Sequence, residues 1–409
     1  MAIVKPFSCV RPTKELVADV AALPYDVYSS AEARAFVAEH PQSFLAIDRA
    51  ETAFPEGTDM YSKEVYEKAS SLLQDWIANG TFVRDEEKCY YLYELTMNGR
   101  AQTGIVACVS IDDYVNDVVK KHENTRADKE QDRINHIKTC SAQTGPIFLT
   151  YKAVAYIQEI VASAKEEEPL YDFKSEDGIR HRVFRIAKQE WIANLEQAFC
   201  EIPNVYIADG HHRAASAVKA GLDLREQVGT YTGEEDFNYF LSVLFPDEEL
   251  LILDYNRVVK DLNGMEEEEF LQKVEEFFDV IPVPTRTKPS KKGEFTMYLS
   301  GTWHLCRIRE DIKVDPIESL DVSILQNFLL APILGIQNPK TDNRIAFVGG
   351  VRGLKELERR CQEDCKVAFA LYPATMKELF DVADAGMLMP PKSTWFEPKL
   401  RSGIFIHEI

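Results

Sequence analysis

One stretch constrains this chain more than any other: Asn204-Val205-Tyr206-Ile207-Ala208-Asp209-Gly210-His211-His212-Arg213-Ala214-Ala215-Ser216-Ala217. The short apolar run 205–208 reads as a buried strand. It stops on Asp209-Gly210, a turn pair whose glycine takes backbone angles that other residues resist. Small helix-forming residues continue to Ala220, and Gly221 offers a stop. The pattern predicts a strand passing through Gly210 into a helix start, with two histidines and an arginine crowded onto the junction. Unpaired N–H groups and the helix dipole favour an anion there. Arg213 adds a forked donor, and His211 and His212 add donors whose charge is adjustable near neutral pH. The bland alternative is a strand–helix turn whose histidines only satisfy neighbouring carbonyls. A phosphate cradle is the working expectation.

The chain has 409 residues, enough for two or three domains with substantial cores. Its formal net charge is −20, with no long basic run. That argues against a general nucleic-acid or anionic-membrane surface, since both need clustered Lys and Arg. A small phosphorylated ligand needs only a local basic pocket. The start, Met1-Ala2-Ile3-Val4-Lys5-Pro6-Phe7, lacks the apolar core of a secretory signal. The longest clean apolar run, 328–336, contains Pro332 and Gly335 and is too short to span a bilayer. Eight cysteines are scattered along the chain. Cys361 and Cys365 would share a helix face, but no second ligand pair accompanies them. Structural thiols in a reducing compartment are expected, not disulfides or zinc ligands. The expectation is a cytoplasmic protein without nucleic-acid or membrane partners.

Three units are expected: 1–110, 111–255 and 256–409. In the first, Ser29 and Glu32 have capping-box spacing for a helix to about His40, which Pro41 ends. Phe44-Leu45-Ala46-Ile47 reads as a strand with Asp48 and Arg49 at its exit. A helix over 62–78 stops at Asn79-Gly80. Runs 89–95 and 103–111 read as a hairpin turning at Asn98-Gly99. Asp26, Asp48 and Arg49 stand at element ends, where site residues often sit; judged singly, each is a turn or surface residue.

The most polar helical segment, 120–138, follows. Thr125 and Asp128 have capping-box spacing, which leaves Glu123 just outside the helix. Arg126, Glu130 and Arg133 recur at near-helical spacing above a thin seam of Ala127, Ile134 and Ile137. Composition alone favours a solvated helix with charge pairs. The sharper reading makes Glu123 a general base beside cations that hold phosphate oxygens. Further on, 146–151, 239–245 and 250–253 read as buried strands. Hairpins are expected around Glu176-Asp177-Gly178 and Ser300-Gly301, and helices over 190–199 and 266–278. Gly349-Gly350-Val351-Arg352-Gly353 follows a strand but lacks the Lys-Ser/Thr ending of a P-loop, so a plain turn is expected. A strand over 366–371 and a helix capped by Thr375 and Glu378 lead to Met389-Pro390-Pro391-Lys392-Ser393-Thr394-Trp395. Its prolines stiffen a loop bearing a lysine, two hydroxyls and an indole. Alone, it reads as a surface loop with Trp395 tucked inward.

Lys121-His122-Glu123, Asp209-Gly210-His211-His212-Arg213 and Pro391-Lys392-Ser393-Thr394 occur in that order. Together they resemble the free-serine kinases of the ParB/sulfiredoxin-like fold, which phosphorylate L-serine with ADP. More closely, the Pro24-Tyr25-Asp26-Val27 block, His122-Glu123-Asn124-Thr125-Arg126, Asp209 to Arg213 and Met389 to Thr394 look like a large uncharacterised bacterial and archaeal family, a domain of unknown function. That match runs nearly end to end; the serine-kinase match covers the three motifs and their surroundings.

The resemblance implies a mixed α/β fold (α+β with mixed sheets), a ParB/sulfiredoxin-like core in 111–255 and additional N- and C-terminal α+β units, the last closing the substrate site. It places Glu123 where the relatives' glutamate deprotonates serine, with His122 and Asp209 beside it as catalytic residues. Gly210, His211, His212 and Arg213 fall in the nucleotide-phosphate loop. Arg126, Lys392, Ser393 and Thr394 fall on the amino-acid side. ADP or ATP is the implied cofactor, with Mg²⁺ alongside. A carboxylate within reach can take the hydroxyl proton as the P–O bond forms, and positioned cations stabilise the transferring oxygens. Trp395 departs from the pattern, because the relatives carry an arginine there. The expected activity interconverts free L-serine and O-phosphoserine with a nucleotide. A phosphoserine phosphatase and a nucleotide-binding switch without turnover are the rivals; a sulfiredoxin-type reductase is disfavoured because His211 stands where that family keeps its cysteine.

Overall fold

Three long strands with buried residues along most of their length, Tyr90–Met97, Arg100–Ser110 and Tyr239–Pro246, make the middle of the largest sheet. The computed structural model describes residues 1–312 and 318–409. It is a mixed α/β structure of two units, Met1–Leu250 with Pro398–Ile409, and Leu251–Glu397.

Among the described residues the first unit's main sheet has nine strands. From one edge the order is Val119–Lys120, Val205–Asp209, Ile147–Tyr151, Tyr239–Pro246, Arg100–Ser110, Tyr90–Met97, Arg180–Ile186 and Tyr171–Lys174, with Val4–Lys5 on Arg100–Ser110. Tyr90–Met97 and Arg100–Ser110 form the expected hairpin. Asn98 and Gly99 both take positive φ (52° and 81°), as a tight hairpin turn demands. Two pairings are parallel, Val119–Lys120 with Val205–Asp209 and Ile147–Tyr151 with Tyr239–Pro246. The first matters for the site, because parallel neighbours release their chains at the same end of the sheet.

A separate four-stranded sheet joins Phe82–Arg84, Cys9–Pro12, Ile406–Glu408 and Ala142–Gln143. The capping box at Ser29 and Glu32 forms and starts Ser30–Glu39. Lys63–Ala78 ends at Asn79 as expected. Phe44-Leu45-Ala46-Ile47 is not a strand: Leu45–Asp48 is one helical turn buried on all sides. A four-residue apolar run has no period with which to tell the two apart. Helix His211–Val228 also outruns its expected stop. Gly221 serves a close approach, because a Cβ there would lie 2.4 Å from the Phe237 carbonyl oxygen.

In the second unit, a six-stranded sheet runs Phe278–Val283, Thr302–Ile308, Glu294–Leu299, Val367–Leu371, Tyr255–Val259 and Ile345–Gly349. Leu354 and Leu357 of helix Gly353–Glu363 pack with Val258, Ala368 and Ala370 of this sheet. The Thr375–Glu378 capping box opens helix Met376–Asp384. All eight cysteines are free. Among the described residues no helix is long and apolar enough to cross a membrane.

Candidate functional site

The parallel pair Val119–Lys120 and Val205–Asp209 delivers two segments to one corner of the first unit. One continues into Lys121-His122-Glu123, and the other turns through Gly210 into helix His211–Val228. Gly210 sits at φ +95°, in the left-handed region that glycine alone enters cheaply. The first-turn N–H groups of the helix lack intrahelical acceptors, so the turn presents donors outward.

Two histidines bind these segments together. The imidazoles of His122 and His211 meet edge to face at 4.5 Å between centroids, and the His122 N–H donates to His211 Nε2 at 3.5 Å. The Arg126 N–H donates to His212 Nε2 at 3.0 Å. Each Nε2 is therefore an acceptor, which puts the ring proton of each neutral imidazole on Nδ1. His122 and His211 are buried. Burial pushes His122 down to about 4, against the pull of Asp209, and holds His211 well below its usual range, with His122 adding to the effect. The sequence suggested donors of adjustable charge. In the structure these nitrogens instead accept from main-chain amides that flank half-buried Glu123.

Arg213 lies along the turn. Its Nη1 donates to the Pro146 carbonyl at 2.6 Å, and its Nη2 reaches Asp209 Oδ2 at 3.4 Å. A Cβ on Gly210 would stand 3.0 Å from Arg213 Nε. Lys399 comes within 3.6 Å of the same Asp209 oxygen. Lys399 was not singled out in the sequence; it lies far along the chain, and no local pattern ties it to Asp209.

Helix Ala127–Cys140 starts at Arg126 without a side-chain cap, so the Thr125–Asp128 box does not form. Thr125 donates its hydroxyl to Glu130 instead. Arg126 is exposed and pairs with Asp128. The helix is not the solvated element that composition favours: Glu130, Asp132, Arg133 and His136 are all buried. Burial would raise the Glu130 pKa, but Lys219 and Thr125 outweigh it and hold the carboxylate below its usual range. Asp48 and Arg49, expected as turn or surface residues, are also buried. The structure thus gathers His122, Arg126, Asp209, Gly210, His211, His212 and Arg213 around the segment bearing Glu123.

Lys392, Ser393 and Thr394 belong to the second unit. Buried Arg257 donates to the Lys392 carbonyl at 3.0 Å and to the Pro391 carbonyl at 3.4 Å. Lys392 takes φ +59°, and its ammonium lies 5.7 Å from the Tyr255 ring centroid. Ser393 is buried and donates to the Pro390 carbonyl at 2.6 Å. Trp395 packs edge-on to Tyr255, 4.9 Å between centroids. It also covers Gly349, where a Cβ would meet the indole at 2.9 Å. Gly350 has the same kind of reason, since a Cβ would lie 2.4 Å from Asp254 Oδ1. The glycine pair is a packing turn, as its sequence suggested.

The family described as "Protein of unknown function (DUF1015)" matches residues 4–323. This chain belongs to the DUF1015 family. No curated protein matches this DUF1015 member. Among solved structures, a free serine kinase variant in complex with ADP is 12% identical, covering 72% of this chain and 92% of its own at a TM-score of 0.35. SbnI with a C-terminal truncation, from Staphylococcus aureus, is 13% identical over 72% and 85%, TM-score 0.38. A conserved hypothetical protein from Pyrococcus furiosus is 14% identical over 73% and 94%, TM-score 0.35.

Proposed function

We propose that this DUF1015 protein is a cytoplasmic phosphotransferase that interconverts free L-serine and O-phosphoserine with ADP or ATP. One observation carries the reading: the amides of His122 and Arg126, on either side of Glu123, are tied to the two histidines that open the Gly210 helix. That arrangement holds a carboxylate-bearing segment beside an anion-binding turn, which is what moving phosphate onto a hydroxyl requires. The motif resemblance to the free-serine kinases supports it independently.

In this reading Glu123 takes the proton of the serine hydroxyl as the serine oxygen forms its new bond to phosphorus. The phosphorus–oxygen bond to the nucleotide's leaving oxygen breaks in the same displacement. The N–H groups at Gly210 to Arg213 and the Arg213 guanidinium hold phosphate oxygens, and Asp209 orients Arg213. His122, His211 and His212 position the Glu123 segment. Arg126 serves the amino-acid side. The nucleotide supplies the transferable phosphoryl group. Mg²⁺, if it takes part, would be held chiefly by the nucleotide's phosphates and would offset charge on the transferring oxygens.

The test is phosphorus NMR of the protein with L-serine or O-phosphoserine, each with ADP, ATP or no nucleotide. Nucleotide-dependent transfer of phosphate is the expected result, with L-serine gaining it from the nucleotide or O-phosphoserine losing it to the nucleotide. Release of inorganic phosphate without nucleotide would replace the reading with a phosphatase, and no change in any mixture would remove it.

A further inference from the structure

A small cleft in the first unit is lined by Tyr25, Asp48, Arg133, His136, Thr144 and Arg213 among others. Asp48 and Arg133 are respectively 5% and 7% exposed, so both have given up most of their hydration, which is costly unless partners replace it. The replacement is incomplete. Arg133 spends Nε on Asp132 at 3.0 Å and lays its guanidinium 4.0 Å from the Tyr25 ring centroid. Its two terminal nitrogens find no acceptor among the described residues. Asp48 accepts from the Thr144 hydroxyl on Oδ1 at 3.0 Å, and its second oxygen accepts nothing among the described residues. The Tyr25 hydroxyl likewise has no hydrogen-bond partner among the described residues. A forked cation and a carboxylate oxygen, both buried and both with free capacity, therefore line one small cleft.

We infer that this cleft recognises the zwitterionic end of a free α-amino acid, with Arg133 taking the carboxylate and Asp48 the ammonium. The charges argue for a zwitterion over a simple anion. An anion alone would satisfy Arg133 but would stand beside Asp48 without compensation, whereas a zwitterion meets both groups with the right sign. A nucleotide offers no cation for Asp48. Arg213 lines the same cleft and also belongs to the Gly210 turn, so an amino acid seated here lies next to the proposed phosphate loop. The inference rests on the proposed function only for the amino acid being serine.

Calorimetric titration of the full chain without nucleotide tests it. L-Serine and L-alanine are expected to bind, because both carry the zwitterion. 3-Hydroxypropanoate, which lacks the ammonium, and ethanolamine, which lacks the carboxylate, should bind roughly 10- to 100-fold more weakly. Asp48→Asn should close the gap between L-serine and 3-hydroxypropanoate. The analogue series on the unaltered protein stands even if that variant fails to fold. Equal affinity for all four ligands, no binding of either amino acid, or binding of inorganic phosphate alone would overturn the assignment. Amino-acid binding without phosphoryl transfer would sink the proposed activity and keep this inference. Transfer with an unchanged serine KM in Arg133→Gln would do the reverse.

Discussion

His211 Nε2 accepts the main-chain N–H of His122 while the two imidazoles pack edge to face, 4.5 Å between centroids. Both rings are neutral in the folded chain, and acid must therefore work against the fold here. The folded pKa of His122, about 4, lies below its unfolded value of about 6.5. The unfolded chain binds this proton first as pH falls, so the contribution is complete above pH 6.5 and is lost between there and pH 4. One such group costs ~3 kcal/mol across that window. Urea unfolding at pH 7 and pH 4.5 should show a steeper loss in the unaltered protein than in His122→Asn. Equal losses would mean that the ring is charged when folded.

Glu123→Gln keeps the shape of the residue and removes its basicity. Phosphoryl transfer should fall by about 10²- to 10⁴-fold, the range for a lost general base, while ADP affinity measured by calorimetry stays within about threefold. Transfer that survives the change, or binding that disappears with it, would remove Glu123 from the role of base.

Gly210→Ala sets a Cβ 3.0 Å from Arg213 Nε at a φ of +95°. The strained backbone should cost about 1–3 kcal/mol, read as a lower urea midpoint. Arg213 must also shift, so nucleotide affinity should fall. Gly229→Ala is the control: φ is also positive there, but a new Cβ meets nothing within 4 Å, so it should destabilise without weakening binding. Equal effects on binding would detach Gly210 from the proposed anion site.

Arg257 is buried with no carboxylate partner among the described residues, and burial pulls its guanidinium down to about 10. Its bonds to the Pro391 and Lys392 carbonyls hold the loop. Arg257→Lys loses the planar fork, so trypsin should cut after Lys392 faster than in the unaltered protein while cutting elsewhere is unchanged. An unchanged rate at Lys392 would show that the prolines alone fix the loop.

Local signals in the sequence carried well where the structure is decided locally. The caps at Ser29 and Thr375, the Asn98-Gly99 turn and the strand leading to Gly210 all read directly, because each depends on neighbours within a few residues. The helix at Leu45–Asp48 did not, since four buried apolar residues fit either geometry. Nor did the burial of Asp48, Arg133 and His136. Charge on a helix predicts exposure unless partners are supplied from afar, and Asp48 finds Thr144 across 96 positions of sequence. The histidines were legible as a cluster but not as acceptors, because their hydrogen bonds come from the amides at 122 and 126.

Strand Ile406–Glu408 pairs on one side with Cys9–Pro12 and on the other with Ala142–Gln143. A ribosome releases those two partners long before their bridge, and the whole of Leu251–Glu397 emerges in between. During synthesis the edges of both early strands stay open to solvent, and such edges invite intermolecular pairing. Translation arrested anywhere short of this strand yields a first unit with a slot still vacant, which is a hazard for any truncated form of the chain.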